Sequence, residues 1–194
     1  MLAMLAQKTD PEPLAPQDCV ALIVLQTADT GPATIDAMQA AAGQMTHGDW
    51  APTIAVLESC VRRLVGQGLL AIGTSTDPDL ARGFTATERG RIAIGQLLLR
   101  PIPPSQGSFT RVCMTMKLCL LHCLDASQRH VPIAELSELY PRTLEQLRGT
   151  APRQRGPRSF PADYWLSHEI ERLQSEVAWL QGLENWFAGR HAAE

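Results

Sequence analysis

The residues best suited to binding chemistry lie in one stretch that begins after Pro52. Apolar side chains recur there at helical spacing, at Ile54, Leu57, Val61 and Leu64, which predicts a helix with one side turned to the protein core. The opposite side carries hydroxyl groups, which bond bases or phosphates, and guanidinium groups, which bond phosphates. Nucleic-acid contacts are therefore predicted for this side of the helix and for an arginine at the end of the turn between the two strands that follow. The residues are Thr53, Val56, Ser59, Arg62, Arg63 and Arg82.

Acidic residues lie close to these arginines. Glu58 shares the outward side of the helix and repels phosphate unless it pairs with Arg62, four residues later. Two aspartates precede Arg82 in its turn and oppose a phosphate contact there. The alternative is that Arg62 and Arg63 are solvated side chains on an exposed helix, and the residues alone leave both interpretations open.

No catalytic signature is present in the chain. It has no glycine-rich phosphate loop, no paired histidines at helical spacing and no Gly-x-Ser-x-Gly turn. Cys119, His122 and Cys123 fall within one turn of a predicted helix and suggest a metal or redox site, but the stretch is apolar nearly all round, which favours core packing. We therefore expect no enzyme, no cofactor and no metal.

Charge is distributed unevenly along the 194 residues, although the net value is only −3. Residues 1–50 carry one lysine against six acidic residues, whereas residues 51–100 carry six arginines against four. This pattern suits a protein that touches DNA over a limited surface. The apolar runs are too short to span a membrane, and the apolar start lacks the basic flank and length of a signal peptide, so a cytoplasmic protein is expected.

The first hundred residues contain four helical patterns and one hairpin. Helices are predicted over residues 18–28, from residues 30–32 with Pro32 in the first turn, from Pro52 to the glycines at 66 and 68, and over residues 88–99, with strands at residues 69–72 and 84–86. Three helices, a ribbon and a closing helix make a winged helix-turn-helix.

The second half is predicted to be all-helical, with helices over residues 109–125, 133–148 and 163–188 and a basic linker over residues 149–158. The fold class is therefore mainly α, a winged helix-turn-helix followed by a helical dimerisation domain. The predicted domains are an extension over residues 1–17, a DNA-binding domain over residues 18–100 and a dimerisation domain over residues 108–190.

The last predicted helix carries two apolar stripes. One recurs at spacings of four and three, as in helices that bury one another, and predicts a homodimer through Leu166, Ile170, Leu173, Val177, Leu180 and Phe187. The other contains Trp165, Trp179, Leu183 and Trp186. Sulfur and indole side chains suggest a pocket for a small hydrophobic or phenolic effector at Cys113, Met114, Met116, Trp165 and Trp179, with plain core packing as the alternative.

Three stretches resemble the PadR-like transcriptional regulators. Val61-Arg-Arg-Leu-Val-Gly-Gln-Gly-Leu-Leu70 is similar to the family's recognition-helix ending, Gly83-Phe-Thr-Ala-Thr-Glu-Arg-Gly-Arg91 to the segment after its wing, and Glu169-Ile-Glu-Arg-Leu-Gln-Ser-Glu-Val-Ala-Trp-Leu180 to its dimerisation helix. The resemblance implies a dimeric DNA-binding regulator, mostly a repressor in this family, that binds a pseudo-palindromic operator and releases it when a small effector binds.

Two positions depart from the family pattern. Thr34-Ile35-Asp36 replaces an aromatic and His-Gly-Tyr pattern on the second helix, and Glu58 replaces a recognition-helix tyrosine. Together with the acidic first fifty residues, these departures favour an alternative function, a dimeric protein–protein adaptor built on a winged helix with weak or lost DNA binding.

Overall fold

The computed structural model describes residues 11–48, 50–73, 83–103, 108–150 and 160–191. The chain divides into two compact units, Met1–Cys119 and Leu120–Glu194. The sequence placed the second domain from residue 108, but the division falls after Cys119 because the helix that ends there packs against helices of the first unit. Within the described residues, no helix combines the length and apolar character needed to cross a membrane.

The first unit has the element order of a winged helix-turn-helix, and it confirms the predicted fold class. Its described elements are α1 (Pro16–Asp29), α2 (Ile35–Met45), α3 (Ile54–Gly66), β1 (Leu70–Ile72), β2 (Phe84–Ala86), α4 (Glu88–Leu98) and α5 (Ser108–Cys119). The strands pair antiparallel, with Leu70 opposite Ala86 and Ile72 opposite Phe84.

Helix α1 is the centre of the first unit. Its residues from Cys19 through Leu25 are all buried, because the segment is apolar on every side rather than on one stripe. Helices α2, α3, α4 and α5 and strand β2 all pack against it. Helix α3 is held in place by α1 and by contacts with α2 and β1.

Helix α2 begins at Ile35, later than predicted. The prediction was wrong because Ala33 is extended and exchanges two backbone hydrogen bonds of 2.9 Å with Phe84 of β2. Thr34 then caps the helix, its hydroxyl accepting from the amide of Ala37. Met38 and Ala42 are buried, whereas Ile35 is only half-buried.

A Thr-x-x-Gly sequence joins the end of α3 to the start of α4. The hydroxyl of Thr87 accepts from the amide of Gly90 and donates to the carbonyl of Gly68 at 2.8 Å. A Cβ atom on Gly90 would lie 2.3 Å from the carbonyl oxygen of Leu69, so only glycine allows this approach. Gly68 itself has φ +70°, a conformation that favours glycine at the end of a helix.

Arg100 ties the described part of the N-terminal extension to the rest of the first unit. Its guanidinium donates to the carbonyls of Glu12 and Pro13 at 2.7 and 3.0 Å and pairs with Asp18 at 3.0 Å. Its own carbonyl accepts from Nζ of Lys117, a side chain only 1% exposed, at 2.6 Å. Helix α1 begins at Pro16 rather than Asp18 because proline suits the first turn of a helix and the Asp18 carboxylate accepts from the amide of Ala15 at 2.8 Å.

The second unit consists of α6 (His130–Thr150) and α7 (Phe160–His191), preceded by two short 3₁₀ turns, Leu121–Cys123 and Ala126–Gln128. Helices α6 and α7 pack against each other. The helix predicted over residues 109–125 was too long, because α5 ends at Cys119 and the chain continues in the 3₁₀ turns.

Candidate nucleic-acid interface

The outward side of α3 is narrow and lined by small residues. Leu57, Cys60, Val61 and Leu64 are buried, and since successive residues turn by about 100° around a helix, they occupy one arc. The line opposite this arc contains Ala55, Ser59, Arg62 and Gly66, which are all exposed. Three of these four residues are small, so a flat or convex ligand can approach the helix closely until it meets Arg62.

Ile54 lies outside the core, contrary to the sequence prediction. It is 46% exposed, and Cys60 takes the fourth core position instead. The reason is angular, since Ile54 is about 70° from the centre of the buried arc, on the same flank as exposed Glu58. Val56, also 46% exposed, lies on the other flank. The first turn of α3 is therefore apolar across its whole exposed arc.

The N-terminus of α3 is free of acidic residues and of a side-chain cap. Thr53 occupies the capping position, but its hydroxyl makes no capping bond and the residue is exposed. By contrast, the first turns of α1, α2 and α4 contain Asp18, Asp36 and Glu88. The positive end of the α3 dipole is thus not neutralised by its own sequence, which favours an anionic or hydrogen-bonding partner there.

The two arginines of α3 have different surroundings. Arg62 is 73% exposed and lies 3.9 Å from the carboxylate of Glu58, so the pairing expected from the four-residue spacing is present but loose. Arg63 donates to Sγ of Cys60 at 3.6 Å and lines a groove of about 300 Å³ between α1, α3 and α4. Burial raises the pKa of the Cys60 thiol, and the nearby charge of Arg63 partly opposes that rise.

Other arginines of the predicted basic region are either paired with carboxylates, exposed on α4 or outside the described residues. Arg91 is held by Asp29 and Glu88, each at 2.7 Å, and these hydrogen bonds, that of Asp29 first, raise the pKa of Arg91. Arg89 is exposed on the first turn of α4. Arg82 lies outside the described residues, as do the linker arginines Arg153, Arg155 and Arg158.

The apolar seam that was predicted on α7 packs against α6 of the same chain. Leu166, Leu173 and Leu180 are buried where α7 packs against α6, while Ile170, Val177 and Phe187 are half-buried. Beside this seam an exposed aromatic stripe recurs every seven residues, with Trp165 59%, Trp179 53% and Trp186 52% exposed. The open apolar surface of α7 is therefore the tryptophan stripe rather than the leucine seam.

Arg172 occupies the one position of the seven-residue stripe that lacks a tryptophan. It pairs with Glu169 at 2.8 Å and with Glu176 at 3.3 Å, and the hydrogen bond with Glu169 raises the pKa of Arg172. Its charge is thus compensated within the helix. The stripe stays suited to an apolar neighbour along its length.

The residues predicted to form an effector pocket lie in different units. Cys113, Met114 and Met116 are buried on α5 in the first unit, where Sγ of Cys113 is 3.9 Å from Sγ of Cys19. Trp165 and Trp179 are exposed on α7 in the second unit.

The cysteines divide into a buried and an accessible group. Cys19, Cys60 and Cys113 are buried, whereas Cys119 and Cys123, for which core packing was expected, are exposed and half-buried. Cys119 is exposed, and the helix that was predicted to place it beside His122 and Cys123 ends at Cys119. Within the described part of the chain, no three His, Cys, Asp or Glu side chains come together to hold a metal ion.

One residue of this surface, Ile54, was assigned to the core from the sequence. The available signal was Cys60, a residue type that is often buried, three residues after Leu57 and four before Leu64. Counting Cys60 as a core residue would have turned Ile54 outward.

No family model matches the chain, and no protein of curated function matches it. Among solved structures, it is similar to Bacillus subtilis PadR, with 15% identity over 91% of this chain and 99% of that chain and a TM-score of 0.40. It is also similar to Bacillus subtilis PadR in complex with operator DNA, with 16% identity, 87% and 98% coverage and a TM-score of 0.38. It is similar as well to Bacillus subtilis PadR in complex with p-coumaric acid, with 14% identity over 90% of this chain and 98% of that chain and a TM-score of 0.39. Similarity at this level assigns no role to any residue of this chain.

Proposed function

We propose that this protein is a DNA-binding transcriptional regulator without catalytic activity, a cytoplasmic homodimeric repressor that binds a pseudo-palindromic operator. In this proposal α3 enters the major groove, and the turn between β1 and β2, with Arg82, contacts the backbone beside it. The effector that releases the operator, which the resemblance implies, is proposed to be a small hydrophobic or phenolic molecule, as the sulfur and indole side chains of the sequence suggest.

The proposal is supported by the surface of α3, which is small and apolar at its first turn and basic further along the helix. Its first turn presents a free threonine hydroxyl and small or apolar groups, which suit base edges. Arg62 and Arg63 follow about 12 Å further along the axis, where a helix lying in a groove meets phosphates. Ser59 lies between the first turn and these arginines, exposed on the same line of the helix as Arg62. Thr53, Val56, Ser59, Arg62 and Arg63 thus stay our proposed DNA contacts.

The proposed dimer uses α7, with a change from the sequence-based interface. Because Leu166, Leu173 and Leu180 are already buried, the second chain is proposed to cover the tryptophan stripe and the open edges of Ile170, Val177 and Phe187. Three half-exposed indoles on one line are costly to leave in water and are the side chains most enriched at protein interfaces. Two recognition helices held in this way fit operator half-sites about one or two helical turns apart.

Arg62→Ala is expected to weaken binding to every duplex sequence and to reduce the salt slope. Each neutralised phosphate contributes about 0.9 to the slope of log K against log salt, so the loss is about one per chain. Fluorescence anisotropy of a labelled duplex, titrated at several salt concentrations, measures it. Arg142→Ala is the matched control, because Arg142 forms the same four-residue ion pair, with Glu138 at 3.0 Å, on α6. Equal slopes for wild type and Arg62→Ala would remove Arg62 from the interface.

The second candidate is a protein–protein adaptor, favoured by two exposed carboxylates on the helix-turn-helix, Asp36 and Glu58. Glu58 lies on the same flank of α3 as Ile54, so this flank alone presents an acidic and apolar surface. An adaptor predicts no affinity for duplex DNA at physiological salt, which the same anisotropy titration measures directly.

A further inference from the structure

We propose that the first turn of α3 reads thymine methyl groups, so that each operator half-site requires thymines beneath Ile54 and Val56. This inference rests on the proposed function and adds to it the bases that the helix recognises. It follows from the exposure of Ile54, which the sequence pattern had assigned to the core.

The surface concerned is apolar without interruption. Ile54 and Val56 are each 46% exposed, exposed Ala55 lies between them, and no charged residue precedes Glu58 on the helix. Ile54 and Val56 stand about 160° apart around the axis. In a major groove they would therefore face different base steps, one on either side of the line through Ala55.

The thymine C5 methyl is the apolar group that base pairs present in the major groove. Recognition of adenine typically uses Asn or Gln, and recognition of guanine uses Arg or Lys, because these side chains bond two base atoms at once. Residues 53–60 contain none of the four. Direct readout by this part of α3 is therefore limited to methyl contacts, a hydroxyl bond from Thr53 or Ser59, and acceptance of a cytosine amino hydrogen by Glu58.

The shape of the helix supports the same reading. Ala55 and Ser59 on the outermost line are small enough for α3 to approach the groove floor, where an isoleucine or valine methyl can touch a thymine methyl. Arg62 and Arg63 lie far enough along the axis to reach phosphates while the first turn is at the bases. Burying Ile54 and Val56 against methyl groups also removes exposed apolar surface from water.

The experiment uses duplex sites selected by the full-length protein from a random-sequence pool. Each thymine of a selected site is replaced singly by deoxyuridine, which removes only the C5 methyl. At one or two positions per half-site we expect binding to weaken about fourfold, the value for one buried methyl group. At the other thymines no change is expected.

Two variants locate the effect on the protein. Val56→Ala and Ile54→Ala are each expected to lower affinity for the thymine site and to abolish the uracil effect at one position. Both residues are exposed, so the fold should be retained, which circular dichroism checks. Ile92→Ala is the matched control, because Ile92 is also an exposed apolar residue, 54% open on α4, and it should keep the full fourfold difference.

The outcomes separate this inference from the proposed function. If the protein binds selected duplexes but no thymine position responds to uracil, methyl readout is wrong and DNA binding stands. The same holds if both variants keep the full uracil effect. If no duplex is bound or selected, the proposed function fails, and methyl readout fails with it.

Discussion

Trp179→Glu is expected to convert the proposed dimer into a monomer and to reduce affinity for a palindromic operator by about 10²- to 10⁴-fold, the gain that linking two binding modules provides. Trp179 lies at the middle of the tryptophan stripe on α7 and is half exposed in the single chain. A carboxylate there would be desolvated by the second chain without a cationic partner, since the nearest guanidinium on its stripe, Arg172, is already paired with two glutamates.

Sedimentation velocity and light scattering give the mass of each variant, and anisotropy gives its affinity for the operator. Gln174→Glu adds the same charge at an exposed position of α7 well away from the stripe, and it should leave both quantities unchanged. The stripe would not be the dimer interface if Trp179→Glu remained a dimer with wild-type operator affinity.

Gly90→Ala is expected to destabilise the first unit by about 2–3 kcal/mol, as overpacking in a tight site does. The new Cβ would meet the carbonyl oxygen of Leu69 at 2.3 Å and Cδ2 of Leu25 at 3.3 Å. Because the first contact is with backbone, relief requires α4 to move away from the end of α3, which also strains the Thr87 bonds that join them.

Urea denaturation followed by circular dichroism measures this change. Gly43→Ala is the paired control, since Gly43 is also helical but a Cβ there meets nothing within 4 Å. It should stabilise the protein by about 0.4–1 kcal/mol by restricting the unfolded chain. Similar effects of the two substitutions, in either direction, would contradict the packing described for Gly90.

The hairpin and α4 could be predicted from the sequence because their signals are local. Gly68 ends α3, Thr87 caps α4, and the three-residue strands follow from short apolar runs between turns. The start of α2 could not, because residues 31–34 are diverted by a backbone bridge from Ala33 to Phe84, far along the chain. Local propensity does not contain such a long-range pairing.

The outward side of α3 was predicted correctly for its arginines and hydroxyls but not for Ile54. Helical spacing gives the direction of the core only to within the width of the apolar arc, and a buried cysteine shifts that arc. For α7 both apolar stripes could be identified from the sequence. The spacing of apolar residues does not show which surface covers them, so it could not show which stripe packs against α6. That choice depends on how α6 presents Ile133, Leu136, Tyr140 and Leu144, all buried.

Helix α3 is proposed to be the surface that meets duplex DNA. Amide hydrogen exchange of the full-length protein, with and without a selected duplex, tests it most directly. If α3 lies against the duplex, exchange slows for peptides covering residues 53–66 when duplex is added, with little change in α6. Duplex binding that leaves these peptides unprotected, or no binding at all, would contradict it.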